Sequence, residues 1–183
     1  MGHAPCAYLG DLLGLEYIYQ SIDVPQVRII VQNAMLESAQ ALSKTYGVEL
    51  GGIVCHIEDL LYRFTNKALQ DTCARVGGDP ARKLSADDRL IGSSLLVRKT
   101  GAVPAYIAIG AAAGLHRLVA ENSLEQSLEN GKKLLLQTSG LDKDNDLTAM
   151  IPKTYQMILD GCSIAELCKS AEEAKAMLAD PVI

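Results

Sequence analysis

The stretch PQVRIIVQNAMLESAQALSKTY, residues 25–46, decides the fold class. Val27, Ile30, Val31, Ala34, Met35, Ala41 and Leu42 recur at the i, i+3, i+4, i+7 spacing that lines one face of an α-helix. Ser38 sits on the same face as a small interruption. Pro25 stands where a first-turn proline is tolerated, and Gly47 offers the left-handed residue that ends a helix. The spacing predicts a helix over 25–46.

The same period extends in both directions, and no segment alternates as a strand would. Helices are expected over about 3–20, from 50 through 64, from Ser85 to a stop at Gly101, and near 103–120, 123–138, 146–160 and 163–178. Asp87 and Asp88 would occupy the first turn of the helix opened by Ser85, where carboxylates favour the positive end of the dipole. Ser163 and Glu166 have the spacing of a capping box. Gly110 and Gly114, four apart, would let a second helix approach closely. The expectation is an all-α fold of about eight helices, forming a single domain over 1–183.

Composition fits this reading. Hydrophobic residues make up 49% of the 183, and a chain of this size can bury about 70% of its unfolded surface. Aromatics are sparse: no Trp, one Phe and seven Tyr. The net charge of −5 argues against a nucleic-acid partner, which would need a basic face. The longest apolar run, AVPAYIAIGAAAGL at 102–115, holds 14 residues, short of the roughly 18 a membrane span needs. It reads as a core helix, so no membrane partner is expected. The five cysteines (Cys6, Cys55, Cys73, Cys162, Cys168) show no metal-ligand spacing and read as buried thiols of a cytoplasmic protein.

Chemistry is harder to locate. His3, His56 and His116 are far apart, with no HxxxH or HExxH, so no metal site is expected. GxGxxG, P-loop and GxSxG are also missing, so no cofactor site is expected within this chain. The least regular segment, TNKALQDTCARVGGDPARKL at 65–84, leads into the most unusual one, 74–93, which sets Arg75, Arg82, Lys83 and Arg89 around a Gly-Gly-Asp-Pro turn. Guanidinium forks match phosphate or carboxylate oxygens, and a lysine adds a point charge. Read without function, the same charges pair with Asp79, Asp87 and Asp88 on a solvated loop.

Several strings point further: GHAPCAYLG at 2–10, YG at 46–47, RFTN at 63–66 and RVGGDPARKLSADDRLIG at 75–92. Together, in this order, they resemble the C-terminal domain of the mannitol-1-phosphate 5-dehydrogenase and mannitol dehydrogenase family, among the polyol-specific long-chain dehydrogenases. The likeness covers about residues 1–120 well and the remainder loosely. It implies a helical substrate-binding domain similar to the C-terminal domain of 6-phosphogluconate dehydrogenase. An N-terminal Rossmann domain, absent from this chain, would bind NAD and act as its partner. The implied reaction is hydride transfer between mannitol 1-phosphate and fructose 6-phosphate, without metal.

The family motif runs lysine, four residues, asparagine, two residues, histidine. The histidine matches His3 as a catalytic residue; the asparagine and lysine would precede Met1. The resemblance assigns Arg75, Lys83 and, more weakly, Arg82 to a sugar or polyol phosphate, with Asn66 as a further contact or a turn former. Gly78 departs from the family, whose members often carry arginine there. The isolated chain is therefore expected to be inactive, and its apolar face to favour self-association. Alternatives are a stand-alone helical binding or regulatory module, or a domain of a related polyol dehydrogenase or uronate reductase.

Overall fold

In the computed structural model, which describes residues 1–179, the apolar run at 102–115 is the hub. It lies in α8 (Ala105–Glu121), and every residue from Ala105 to Leu115 is buried. Around it pack α1 (His3–Leu12), α3 (Pro25–Tyr46), α7 (Ile91–Lys99), α9 (Leu128–Ser139), α10 (Leu147–Leu159) and α11 (Ile164–Ala179). Two glycines make the closest approach possible. A Cβ on Gly110 would lie 2.7 Å from Pro5 Cγ, and one on Gly114 would lie 2.9 Å from Tyr8 Cε2. The i, i+4 glycine pair is therefore the groove that seats α1.

The helix read from residues 25–46 forms over those residues, with Gly47 left-handed at φ 69°. Its apolar stripe is buried, apart from a half-buried Leu42. Glu37 places a carboxyl group within the same buried surface. The capping box also forms: Ser163 N–H donates to Glu166 Oε2 at 2.8 Å and Glu166 N–H to Ser163 Oγ at 3.3 Å.

Three expectations need correction. The helix expected over 3–20 breaks into α1 and α2 (Ile18–Asp23) because Gly14 turns left-handed at φ 68°. The helix expected from Ser85 begins at Ile91 instead. Residues 85–90 form turns, and Asp88 spends its carboxylate on Arg82 and Arg89 rather than on a helix end. The helix expected from 123 starts at Leu128, capped by Ser127 Oγ. The irregular segment contains two short helices, α5 (Cys73–Gly77) and α6 (Pro80–Lys83).

Among the described residues there are eleven α-helices, eight of them seven residues or longer, and no strand. A lone antiparallel bridge joins Tyr17 to Thr72. The cysteines are unpaired; Cys6, Cys73 and Cys168 are buried, Cys162 is partly so, and Cys55 is exposed. Among the described residues, no helix is long and apolar enough to cross a membrane.

Candidate functional site

Four separated segments meet at the start of α1. The Tyr17–Thr72 bridge brings two of them together: Ile18 N–H donates to the Asp71 carbonyl at 2.9 Å and Cys73 N–H to the Glu16 carbonyl at 2.8 Å. These bonds fix the backbone of residue 71, so its carboxylate faces the first turn of α1. Thr72 Oγ1 accepts the Arg75 N–H at 3.1 Å and starts α5. The last turn of α4 (Leu50–Phe64) supplies the remaining wall.

His3 is the centre of this arrangement. Its ring stacks on Phe64, with centroids 4.7 Å apart and planes inclined by 8°. Its Nε2 lies 3.5 Å from Asp71 Oδ2, and the other Asp71 oxygen pairs with the Arg75 guanidinium. Burial lowers the His3 pKa; Asp71 opposes this, while Arg75, the N-terminal amine and Arg63 reinforce it. The imidazole is thus neutral near pH 7, able to donate from one nitrogen and accept at the other.

The cleft in front of His3 encloses about 280 Å³, lined by Tyr19, Arg63, Phe64, Asn66 and Asp71 among others. That is close to the lower bound, roughly 300 Å³, of small-molecule sites. Asn66 Oδ1 accepts the Ala68 N–H at 3.0 Å, capping a 3₁₀ turn at Lys67–Leu69. Its amide nitrogen is left as a donor, so Asn66 both forms a turn and lines the cleft.

The structure thus gathers His3 and Asn66 in one cleft, with Arg75 held at its edge through Asp71. Arg82 and Lys83 lie outside the lining. Arg82 donates to Asp79 Oδ2 at 2.8 Å and also pairs with Asp88. Lys83 is only 5% exposed, and its ammonium donates to the Gly78 carbonyl. Burial lowers its pKa, with Arg89 and Arg82 adding to the effect. Lys83 therefore anchors the turn in which Asp79 takes a left-handed φ of 56°. His56 is exposed on α4, and His116 sets its ring edge-on to Tyr155 at 6.4 Å.

Asp71, Phe64, Tyr19 and Arg63 belong to the cleft although the sequence reading left them without a role. Asp71 lies four residues before Arg75, and that spacing is its sequence signal. Phe64, the chain's one phenylalanine, has only its place in RFTN.

The described residues do not build the strand–turn–helix cradle that a dinucleotide requires. At the start of α8, the Tyr106 and Ile107 N–H groups already donate to the buried Glu37 carboxylate, at 3.2 and 3.1 Å. A second anion has no place there. Among the described residues no three His, Cys, Asp or Glu side chains are grouped to hold a metal ion.

Residues 1–159 match the family described as Mannitol dehydrogenase C-terminal domain. The mannitol-1-phosphate 5-dehydrogenase of Caldanaerobacter subterraneus subsp. tengcongensis is 38% identical over 159 residues, covering 84% of this chain and 41% of that protein. The chain spans about two fifths of that relative's length.

Proposed function

This chain belongs to the mannitol dehydrogenase C-terminal domain family, and from that premise we propose that it is the substrate-binding part of an NAD-dependent polyol-phosphate dehydrogenase. The substrate pair is mannitol 1-phosphate and fructose 6-phosphate, as the name of the matched relative suggests. The observation that carries the reading is the convergence of His3, Asn66, Asp71 and Arg75 on one cleft.

Each residue has a role that its surroundings support. A neutral His3, held by Phe64 and Asp71, donates a hydrogen bond to the substrate oxygen that gains charge as the carbonyl is reduced. Asn66 orients a neighbouring hydroxyl through its amide nitrogen. Arg75, paired with Asp71 but largely exposed, takes an oxygen at the rim. Arg82 and Lys83 serve the site from the 78–80 turn. There Lys83 holds the backbone, and Arg82, paired with Asp79 and Asp88, braces the turn beside Arg75. Hydride exchange would use NAD held outside this chain, in a segment such as the three fifths of the relative that the chain does not cover.

The test has two arms. The 183-residue chain should bind fructose 6-phosphate in a calorimetric titration, and His3→Ala should weaken that binding. The same chain should oxidise no NADH with fructose 6-phosphate until a dinucleotide-binding segment of the relative is supplied. Turnover by the chain alone, or a titration without heat, would sink the reading.

A further inference from the structure

Seven arginines occur in the sequence, and the structure separates them by their partners. Arg75, Arg82, Arg89, Arg98 and Arg117 each pair with at least one carboxylate. Arg28 and Arg63 have no carboxylate partner among the described residues. Of these two, Arg63 lines the His3 cleft. The negative end of α4, equivalent to about half a charge, offsets only part of the Arg63 charge.

The charge of the cleft follows. His3 is neutral near pH 7, Asp71 is paired with Arg75, and the Arg63 guanidinium adds a positive charge that no carboxylate of the cleft offsets, in a chain whose net charge is −5. A phosphate monoester carries about −1.5 to −2 at that pH and accepts a guanidinium bidentately. The basic groups of 75–89 are less available, since carboxylates hold Arg82 and Arg89 and the Gly78 carbonyl holds Lys83.

We infer that Arg63, with the Asn66 amide beside it, is the phosphate-recognising element of this cleft and makes its ligands phosphate monoesters of small polyols or sugars. The inference rests on reading the cleft as the substrate site. It places the phosphate-binding guanidinium on α4 rather than on the 75–83 segment. Arg63 binds and positions the ester; it moves no proton.

The experiment titrates the 183-residue chain with inorganic phosphate at low ionic strength, followed by amide chemical shifts. Shifts are expected at Gly2, Asn66 and Asp71. Arg63→Gln should weaken binding by roughly tenfold or more, Arg63→Lys by less, and Arg28→Gln not at all. Equal affinity in Arg63→Gln and the parent chain overturns the assignment, as does an equal loss in Arg28→Gln.

A second titration compares fructose with fructose 6-phosphate. Loss of the ester's advantage over fructose in Arg63→Gln supports the assignment. Sugar binding that is indifferent to Arg63 refutes it while leaving the substrate reading intact. Phosphate binding that depends on Arg63, with neither sugar bound, upholds Arg63 as an anion site and removes the substrate reading.

Discussion

Glu37, buried in the middle of α3, accepts hydrogen bonds from the backbone N–H groups of Tyr106 and Ile107 and so caps α8 across the core. Lys175 Nζ lies 3.5 Å from the same carboxylate and joins α11 to the arrangement. Burial still outweighs these contacts and raises the Glu37 pKa above its usual value. Glu37→Ala would strand two buried donors and should cost about 2–4 kcal/mol in a denaturant titration. The folded state holds the Glu37 proton more tightly than the unfolded state does. Its contribution is therefore full below about pH 4.5 and declines as pH rises through the folded value. Glu37→Gln should flatten that decline, and an unaltered pH profile would count against it.

The His3 imidazole has the opposite sign. Its folded pKa is depressed, so its contribution to stability is present above about pH 6.5 and lost as pH falls. Asp71 is the one group that resists the depression. In Asp71→Asn the His3 midpoint, followed by NMR of its ring proton, should drop further. An unchanged or higher midpoint would show that Asp71 does not govern the ring.

Two buried tyrosines should respond differently to losing a hydroxyl. Tyr8 is 1% exposed and its hydroxyl has no partner among the described residues, whereas Tyr155 donates to Gln126 Oε1 at 2.7 Å. Tyr8→Phe should leave stability unchanged or raise it by about 0.5–1 kcal/mol, while Tyr155→Phe should lower it by about 1 kcal/mol. Thermal unfolding of the pair decides the matter, and a reversed order would place a partner at Tyr8.

Gly110 offers a test of the α1–α8 contact. Its new methyl in Gly110→Ala would meet the rigid Pro5 ring, which cannot rotate away. A loss of about 1–3 kcal/mol is expected, with reduced ligand binding because α1 carries His3. Wild-type stability would mean that the two helices separate at little cost.

The helices were legible wherever a long apolar period ran between proper caps, as over 25–46 and 105–121. They were misread where a single residue overrode the period, as Gly14 did in splitting the first helix. The turns at 85–90 escaped because Asp88 satisfies arginines instead of a helix end, and that choice depends on where the chain brings Arg82. The same holds at the site. His3 stood out in the sequence, but Asp71 and Phe64 become its neighbours only through the bridge at Thr72 and the packing of α4. Lys83 is the converse, a basic side chain in a promising motif that folding turns inward toward a carbonyl.

The position of α4 has a mechanical consequence. It packs chiefly on α3 and α2, and only Ile57, Leu61 and Phe64 are buried along it, whereas α1 is locked against the hub helix. The cleft therefore has an unyielding floor that bears His3 and a compliant wall that bears Phe64 and Arg63. Local opening free energies follow burial, so the wall should exchange its amide hydrogens well before the floor does. A ligand could then widen the entrance by straining one peripheral helix, leaving the imidazole where the core holds it.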